Sequence, residues 1–366
     1  CGDCCSGCNV GAKNTVAMTY LPDAYNHGAE IYTQCNVQHV KALDADTSPT
    51  SARWEIIFER TDADAPHDHQ TISADMVFVG AGTLGSTEIL LRSKAAGLPL
   101  SEKLGHNFSG NGDVIAFGYN NDVPVNGIGT GYPSADSTVP PVGPVIAGLI
   151  DLRKDDGSVR ENIVIQEGAI PSLLAPLLPA ALAGTAPFFG EDTDDGDEWS
   201  ETKRITTSIL KGAYSGAVHN SQTFLVMAHE GTGGSMQLND NGDIRLNWPD
   251  AGDLPVFKLI DETLRTAVAA TGGTYIANPI WAKALGRNLI SVHPLGGCAM
   301  GDDAGSGVIN HGCQVFDGTG GLHGGLYVMD GSIMPRSLGV NPSLTITALS
   351  ERAMTLFEEN WKRKNP

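Results

Sequence analysis

Val292-His293-Pro294-Leu295-Gly296-Gly297-Cys298, then Gly325-Leu326-Tyr327-Val328-Met329-Asp330-Gly331-Ser332, then Gly339-Val340-Asn341-Pro342-Ser343-Leu344-Thr345-Ile346-Thr347-Ala348-Leu349: these stretches, all in the last quarter of the chain, decide how the rest is read. A histidine beside a proline and paired glycines has a fixed backbone and close neighbours, which suits proton handling better than casual core packing. Asn341-Pro342 ahead of an apolar run reads as a helix start, with the proline near the first turn. Helix starts present free N–H groups and a positive dipole end, which attract anionic or electron-rich ligand atoms. The middle stretch reads as a strand, Gly325–Met329, ending in an Asp330-Gly331-Ser332 turn. His293 and Asn341 are therefore the first candidates for chemistry.

Upstream, Asp75–Val79 reads as a buried strand, Gly80-Ala81-Gly82-Thr83-Leu84-Gly85 as a glycine turn, and Ser86–Ser93 as a helix. Taken alone this is G-x-G-x-x-G between strand and helix, the pattern of a dinucleotide-binding turn. That fold would continue with a second parallel strand ending in an acid near Glu102. GLPLSEKLGHNFSGNGD (97–113) has no apolar run to supply one. The turn is thus expected to touch a dinucleotide without being its main pyrophosphate loop.

Bulk properties narrow the classes. The 366 residues, 41% of them hydrophobic, suffice for one large or two ordinary domains with a real core. A formal net charge of −19 argues against nucleic-acid binding and against adsorption to anionic membranes. No uninterrupted apolar stretch is long enough to span a bilayer, so no transmembrane segment is expected. The chain starts at Cys1, which leads us to expect a leader or a domain ahead of it; no compartment follows from the sequence. Seven cysteines, an odd number with Cys1, Cys4, Cys5 and Cys8 crowded together, do not form a secreted disulfide framework. Cys1-x2-Cys4 and Cys5-x2-Cys8 have metal-knuckle spacing, but four ligands from eight residues is cramped, and a structural or disulfide-prone turn is the favoured reading. No metal is expected.

Elsewhere, Glu30–Asp44 and Ser51–Glu59 read as a hairpin, and Phe224–Ala228, Ser235–Leu238 and Asp243–Trp248 as an antiparallel meander turned at Asn239–Gly242. Leu254–Thr271 reads as an amphipathic helix, and a last helix runs from Asn341 toward Glu358. His67 and His69 fall in a solvated hairpin tip. His219, His229 and His311 read as structural or surface residues, and the acidic run 191–198 as a solvated loop. PSLLAPLLPAALAGTAPFFG (171–190), with four prolines, reads as neither a spanning helix nor an ordinary core helix, but as a lid or wall over a lipophilic pocket or as a plain packing loop. Asn111, in Ser109-Gly110-Asn111-Gly112-Asp113, is a turn residue or a pocket residue.

VHPLGGC (292–298), GLYVMDGSIMP (325–335), GVNPSLTITALSER (339–352), VFVGAGTLGSTEILLRS (77–93) and NGDIRLNWP (241–249) together resemble the glucose–methanol–choline family of flavin oxidoreductases, its cholesterol-oxidase branch most closely. The resemblance implies an α/β plus α+β protein: the C-terminal part of an FAD-binding Rossmann-like domain (1–109 and 296–366, discontinuous and incomplete) and a substrate domain on a mixed or antiparallel sheet (110–295). It implies an enzyme that oxidises an alcohol (a CH–OH donor), a sterol or another lipophilic alcohol, by hydride transfer to FAD, with O2 or another electron acceptor. His293 would accept the hydroxyl proton and Asn341 would orient the hydroxyl beside the flavin ring. Gly80, Ala81, Gly82, Asp330, Gly331, Asn341 and Pro342 would line the cofactor. In IVIQEGAIP, Glu167 rather than Gln166 would be the acid that works with the histidine. The family's opening strand and first glycine loop would lie ahead of Cys1, so a second polypeptide supplying that segment is a further expected partner. Two rivals stand beside this: an NAD-dependent dehydrogenase using Gly80–Gly85, and a truncated, non-catalytic fragment or subunit.

Overall fold

A computed structural model describes residues 1–8, 10–44, 53–62, 69–130, 142–154, 159–282 and 286–364. The chain divides into two compact units, one made of Cys1–Ala29, Gly112–His229 and Asp250–Ser291, the other of Glu30–Asn111, Glu230–Pro249 and Val292–Pro366.

The unit that carries the glycine-rich motifs is α/β. Val77–Val79 runs parallel to Leu322–Val328, which pairs antiparallel with Gln314–Phe316. The expected strand at 75–79 is shorter than read, and it is not buried throughout, since Phe78 is exposed. Phe78 instead stacks on Tyr327 at 5.0 Å, with Phe357 edge-on to both. No strand lies between Ala95 and Val114, so the strand required by the NAD-dependent rival is missing; the parallel partner of Val77–Val79 comes from far down the chain.

The helix after the glycine turn spans Gly82–Ala95 and begins inside the motif rather than at Ser86. Its buried face is largely hydroxylic: Thr83, Ser86, Thr87 and Ser93 accompany Ile89 and Leu90. Small side chains allow close approach, and the hydroxyls take up backbone partners; Ser93 Oγ accepts the Val40 N–H at 3.0 Å. Val40 belongs to a three-stranded antiparallel sheet of Cys35–Ala42, Trp54–Arg60 and Gln70–Ala74. The expected hairpin is there, with a third strand the sequence did not suggest. His67 lies outside the described residues, and His69 sits exposed beside Glu59. The last helix, Ser343–Lys364, lays Ile346, Leu349 and Ala353 on a core that includes Leu90, Leu295, Ile309, Leu326 and Ile333. Each fully buried aliphatic side chain of this kind stabilises by about 1.5–3 kcal/mol.

The other unit is built on a six-stranded antiparallel sheet: Leu149–Asp151, Ile163–Gly168, Gln222–Ala228, Val114–Tyr119, Thr274–Ile276 and Gly190–Asp192, in that order. Alternation along the strands sends Ala116 and Tyr275 to a core shared with the amphipathic helix Pro255–Ala269. Phe117, Tyr119 and Ile276 go to the opposite core, with Leu182 and Ile205 of the helices Leu178–Phe189 and Glu198–Lys211.

Three expectations change here. Gln222–Ala228 joins the large sheet, so the expected meander reduces to the hairpin Ser235–Leu238 with Ile244–Asn247. That hairpin belongs to the α/β unit, where Arg92 Nε donates to the Gly242 carbonyl at 2.8 Å and Glu88 accepts the Ile244 N–H at 3.0 Å. Residues 1–29 belong to the antiparallel unit, where the Asp3 carboxylate accepts the Ser172 N–H at 2.6 Å and the Thr130 N–H donates to the Cys1 carbonyl at 2.9 Å.

The proline-marked apolar stretch, expected to be neither a spanning helix nor an ordinary core helix, is helical and largely exposed: a 3-10 turn at Ser172–Leu177 leads into Leu178–Phe189. Pro179 falls in the first turn, where a missing N–H costs nothing. Leu173, Leu177 and Phe188 stay exposed, and Ser172–Phe189 is long and apolar enough to cross a membrane by length and composition alone. The acidic run is less solvated than expected. Asp194 and Asp197 converge with Asp122, and Arg204 pairs with Asp122 at 3.2 Å and Asp197 at 3.1 Å. The cysteines are free thiols; Cys8 Sγ accepts the Ala12 N–H at 3.2 Å, and backbone N–H groups of Ala12 and Val10 lower its pKa.

Candidate functional site

Every candidate residue of the two C-terminal loops and the glycine turn falls in the α/β unit, and the backbone stitches them together. Asp330 is the hub. Its Oδ1 accepts the Ser332 N–H at 2.8 Å, while Oδ2 accepts the Gly82 N–H at 3.1 Å and a short hydrogen bond from Ser86 Oγ. Ser86 Oγ in turn accepts the Ala81 N–H at 2.9 Å. The start of the Gly82–Ala95 helix is thus already occupied by a carboxylate. An anion at a helix N-terminus is favourable, and this one takes the place a pyrophosphate would need. That geometry weighs against the NAD-dependent alternative.

The histidine loop meets the same hub. Thr83 Oγ1 donates to the Pro294 carbonyl at 2.6 Å, the Gly296 N–H to the Gly331 carbonyl at 3.1 Å, and the Cys298 N–H to the Ser332 carbonyl at 2.9 Å. Two glycines are required by this packing. Gly296 has φ +86 and Gly297 φ +101, and a Cβ on Gly296 would overlap the Asn107 carbonyl. His293 is half-buried at the edge of this assembly. Cys298 is fully buried beside Thr87, and burial pushes its thiol up to about 12, which leaves it inert.

The asparagine loop is clamped by Asn111. The Asn111 Oδ1 accepts the Leu338 N–H at 2.9 Å and the Gly339 N–H at 3.0 Å, and its Nδ2 donates to the Val340 carbonyl at 2.9 Å. Asn111 itself sits at φ +60, a conformation asparagine tolerates better than most residues. It is a clamp rather than a simple turn residue. Asn341 follows, exposed, and the helix begins at Ser343, two residues later than read. Pro342 is buried and its carbonyl accepts the Ile346 N–H at 2.9 Å. The N–H groups of the first turn have no partner within the helix, and Leu344 there is exposed. This turn fits an electron-rich ring edge. Ile346 also lies against Gly331, tying the helix start to the Asp330 hub.

Glu167 lies in the antiparallel unit, on Ile163–Gly168. It lines an open pocket with Asn121, Leu149, Ile165, Phe224 and Thr271, and its carboxylate lies close to Gly148. Its neighbour Gln166 faces the other way and is buried. Of the two alternatives, the acid is the one that reaches a cavity.

Sequence reasoning missed Thr83, Ser86, Ser109 and Glu230. Thr83 and Ser86 were hidden inside a motif read only for its glycines. Glu230 carried one signal, an acid two residues past the end of the apolar strand read at Phe224–Ala228.

Residues 1–111 match the N-terminal GMC oxidoreductase family model and residues 262–350 the C-terminal one, together more than half of the chain. The chain belongs to the GMC oxidoreductase family. Its sequence is 27% identical to a cholesterol oxidase of Mycobacterium tuberculosis, over 98% of this chain and 58% of that protein. It is 25% identical to a long-chain-alcohol oxidase of Arabidopsis thaliana, over 94% of this chain and 44% of that protein. This GMC chain thus spans about half the length of the curated relatives it matches. Its fold is similar to that of pyridoxine 4-oxidase from Mesorbium loti, with a TM-score of 0.55 at 16% identity, covering 95% of this chain and 62% of the other. It is also similar to an FAD-dependent oxidoreductase from Chaetomium thermophilum, with a TM-score of 0.54 at 14% identity, covering 95% and 64%.

Proposed function

We propose that this chain carries the hydroxyl-handling part of an FAD-dependent alcohol oxidoreductase site. The supporting observation is the convergence, in one unit, of the His293 loop, the Asn341 helix start and the Gly80–Gly82 turn on the Asp330 hub. The residues fit a flavin. The open first turn at Ser343 offers N–H groups and a positive dipole end to the electron-rich edge of the ring. Asp330, Gly331 and Pro342 flank that turn, with Gly80, Ala81 and Gly82 alongside. The chemistry that a bound FAD supplies is acceptance of two electrons and the carbinol hydrogen.

The protein's own residues handle the rest. His293 accepts the hydroxyl proton as the carbon is oxidised. Asn341 donates a hydrogen bond to the same oxygen and, lacking a titratable group, holds it at any working pH. Glu167, which lines the open pocket of the antiparallel unit, is proposed as a further acid–base group. The substrate is a lipophilic alcohol; relatives named cholesterol oxidase and long-chain-alcohol oxidase both support that class, and O2 is the acceptor those names imply.

The test is direct. The purified protein should show a flavin absorption spectrum, and His293→Ala and Asn341→Ala should each lower alcohol turnover by about 100-fold or more while flavin stays bound. Colourless protein would sink the cofactor assignment. Unchanged turnover in both variants would sink the residue roles.

A further inference from the structure

We infer that Glu230, acting through Ser109, is a positioning residue that sets the His293 loop and the Asn341 loop relative to one another. Ser109 is fully buried and lies at the crossing of both loops. Its backbone pairs with Leu295, two residues past His293, N–H to carbonyl at 3.0 Å one way and 2.9 Å the other. Its Oγ accepts the Asn111 N–H at 3.0 Å, and Asn111 clamps residues 338–340, directly before Asn341. The remaining bond of that hydroxyl goes to Glu230, whose Oε1 accepts it at 2.8 Å.

The chemistry explains why an acid stands there. A serine hydroxyl both donates and accepts and rotates to suit its neighbours. A carboxylate only accepts, so it fixes the hydroxyl hydrogen toward itself and leaves a lone pair for Asn111. The charge also strengthens the bond relative to a neutral pair. Glu230 is itself only 8% exposed, and four residues on, Gly234 exchanges backbone bonds with Phe108, the neighbour of Ser109, at 2.9 and 3.2 Å. A buried carboxylate is costly to keep without a polar partner, so its placement against Ser109 is a committed one. Neither residue belongs to the proton-handling set, and their effect on the reaction passes through backbone geometry.

The catalytic consequence rests on the proposed function, whereas the bonding does not, and the experiment separates the two. Ser109→Ala, Glu230→Ala and Glu230→Gln are prepared in the flavin-loaded protein. Hydrogen–deuterium exchange is followed for the peptide holding the Leu338 and Gly339 amides, and kcat and KM are measured for alcohol oxidation. Ser109→Ala and Glu230→Ala should speed exchange there by about tenfold or more. They should lower kcat by roughly 10- to 100-fold with KM nearly unchanged, as expected for misplaced rather than missing groups. Glu230→Gln, whose amide oxygen accepts the same bond, should restore both. Wild-type exchange in the two alanine variants, or a glutamine variant as impaired as the alanine, would overturn the inference. If the wild type oxidises no alcohol, the proposed function falls and the exchange rates decide this inference alone. If Glu230→Ala fails to fold, Ser109→Ala and Glu230→Gln carry the same test.

Discussion

The two units of this chain are held together in different ways. The antiparallel unit is layered: a six-stranded sheet covered on each face by helices, with cores of Ile260, Leu264 and Val268 on one side and Tyr119, Leu182 and Ile276 on the other. The α/β unit also has an apolar core, but its loops are fixed by directional bonds to backbone groups, from Asp330, Ser86, Thr83, Asn111 and Ser109. Layered packing gives way gradually when atoms are removed. A loop locked by close backbone approach has little room for atoms to be added. The comparison teaches why the proposed groups sit where they do: reacting groups need fixed positions, and the unit with the fixed loops carries the two candidates, His293 and Asn341.

The sharpest way to break that comparison is Gly296→Ala. A Cβ at φ +86 against the Asn107 carbonyl should cost about 4 kcal/mol or more, read from chemical denaturation. A loss within about 1 kcal/mol would mean that the loop has slack and the contrast is false. Next in size, Ile260→Ala in the antiparallel unit, where the side chain is fully buried, should cost about 2–5 kcal/mol and leave the flavin spectrum unchanged. Loss of flavin together with stability would show that the layered unit governs the site after all.

The smallest effect is a pH dependence. Burial, with Asp192 and Asp197 nearby, raises the Glu201 carboxyl to about 7. The folded state therefore keeps a proton that the unfolded chain has released, and stability should fall as pH rises from the ordinary glutamate range to about 7. Glu201→Gln should flatten that slope, a difference visible in Tm measured across this pH range. An identical slope in the variant would place the titration elsewhere.

Much of the α/β unit is legible in sequence because its signals are local. Gly80–Gly85, the paired glycines after His293 and Asn341-Pro342 each constrain the backbone within a few residues, so strand, turn and helix follow from the text. What stayed hidden depended on distant partners. Nothing near Val77 says that its neighbour is Leu326, and nothing near Gln222 says that its strand belongs to a large sheet rather than to the next hairpin. The apolar stretch 171–190 misled because prolines were counted as breakers, whereas one of them sits in a first helical turn. The site divides along the same line. His293 and Asn341 announce themselves by their neighbours, whereas Ser109 and Glu230 matter only because folding brings positions far apart in sequence into hydrogen-bonding range.

The pairing of Val77–Val79 with Leu326–Val328 also orders events during synthesis. A ribosome releases the glycine turn first, and the strand that lines up beside it and the aspartate that caps its helix emerge only after roughly 250 further residues, at about 5–20 residues per second. For that interval the turn waits without its partner. Assembly of this part of the fold therefore has to wait until Asp330 has been made, and a product cut short before Leu322 should lack the glycine turn's strand and aspartate partners altogether, not retain part of them.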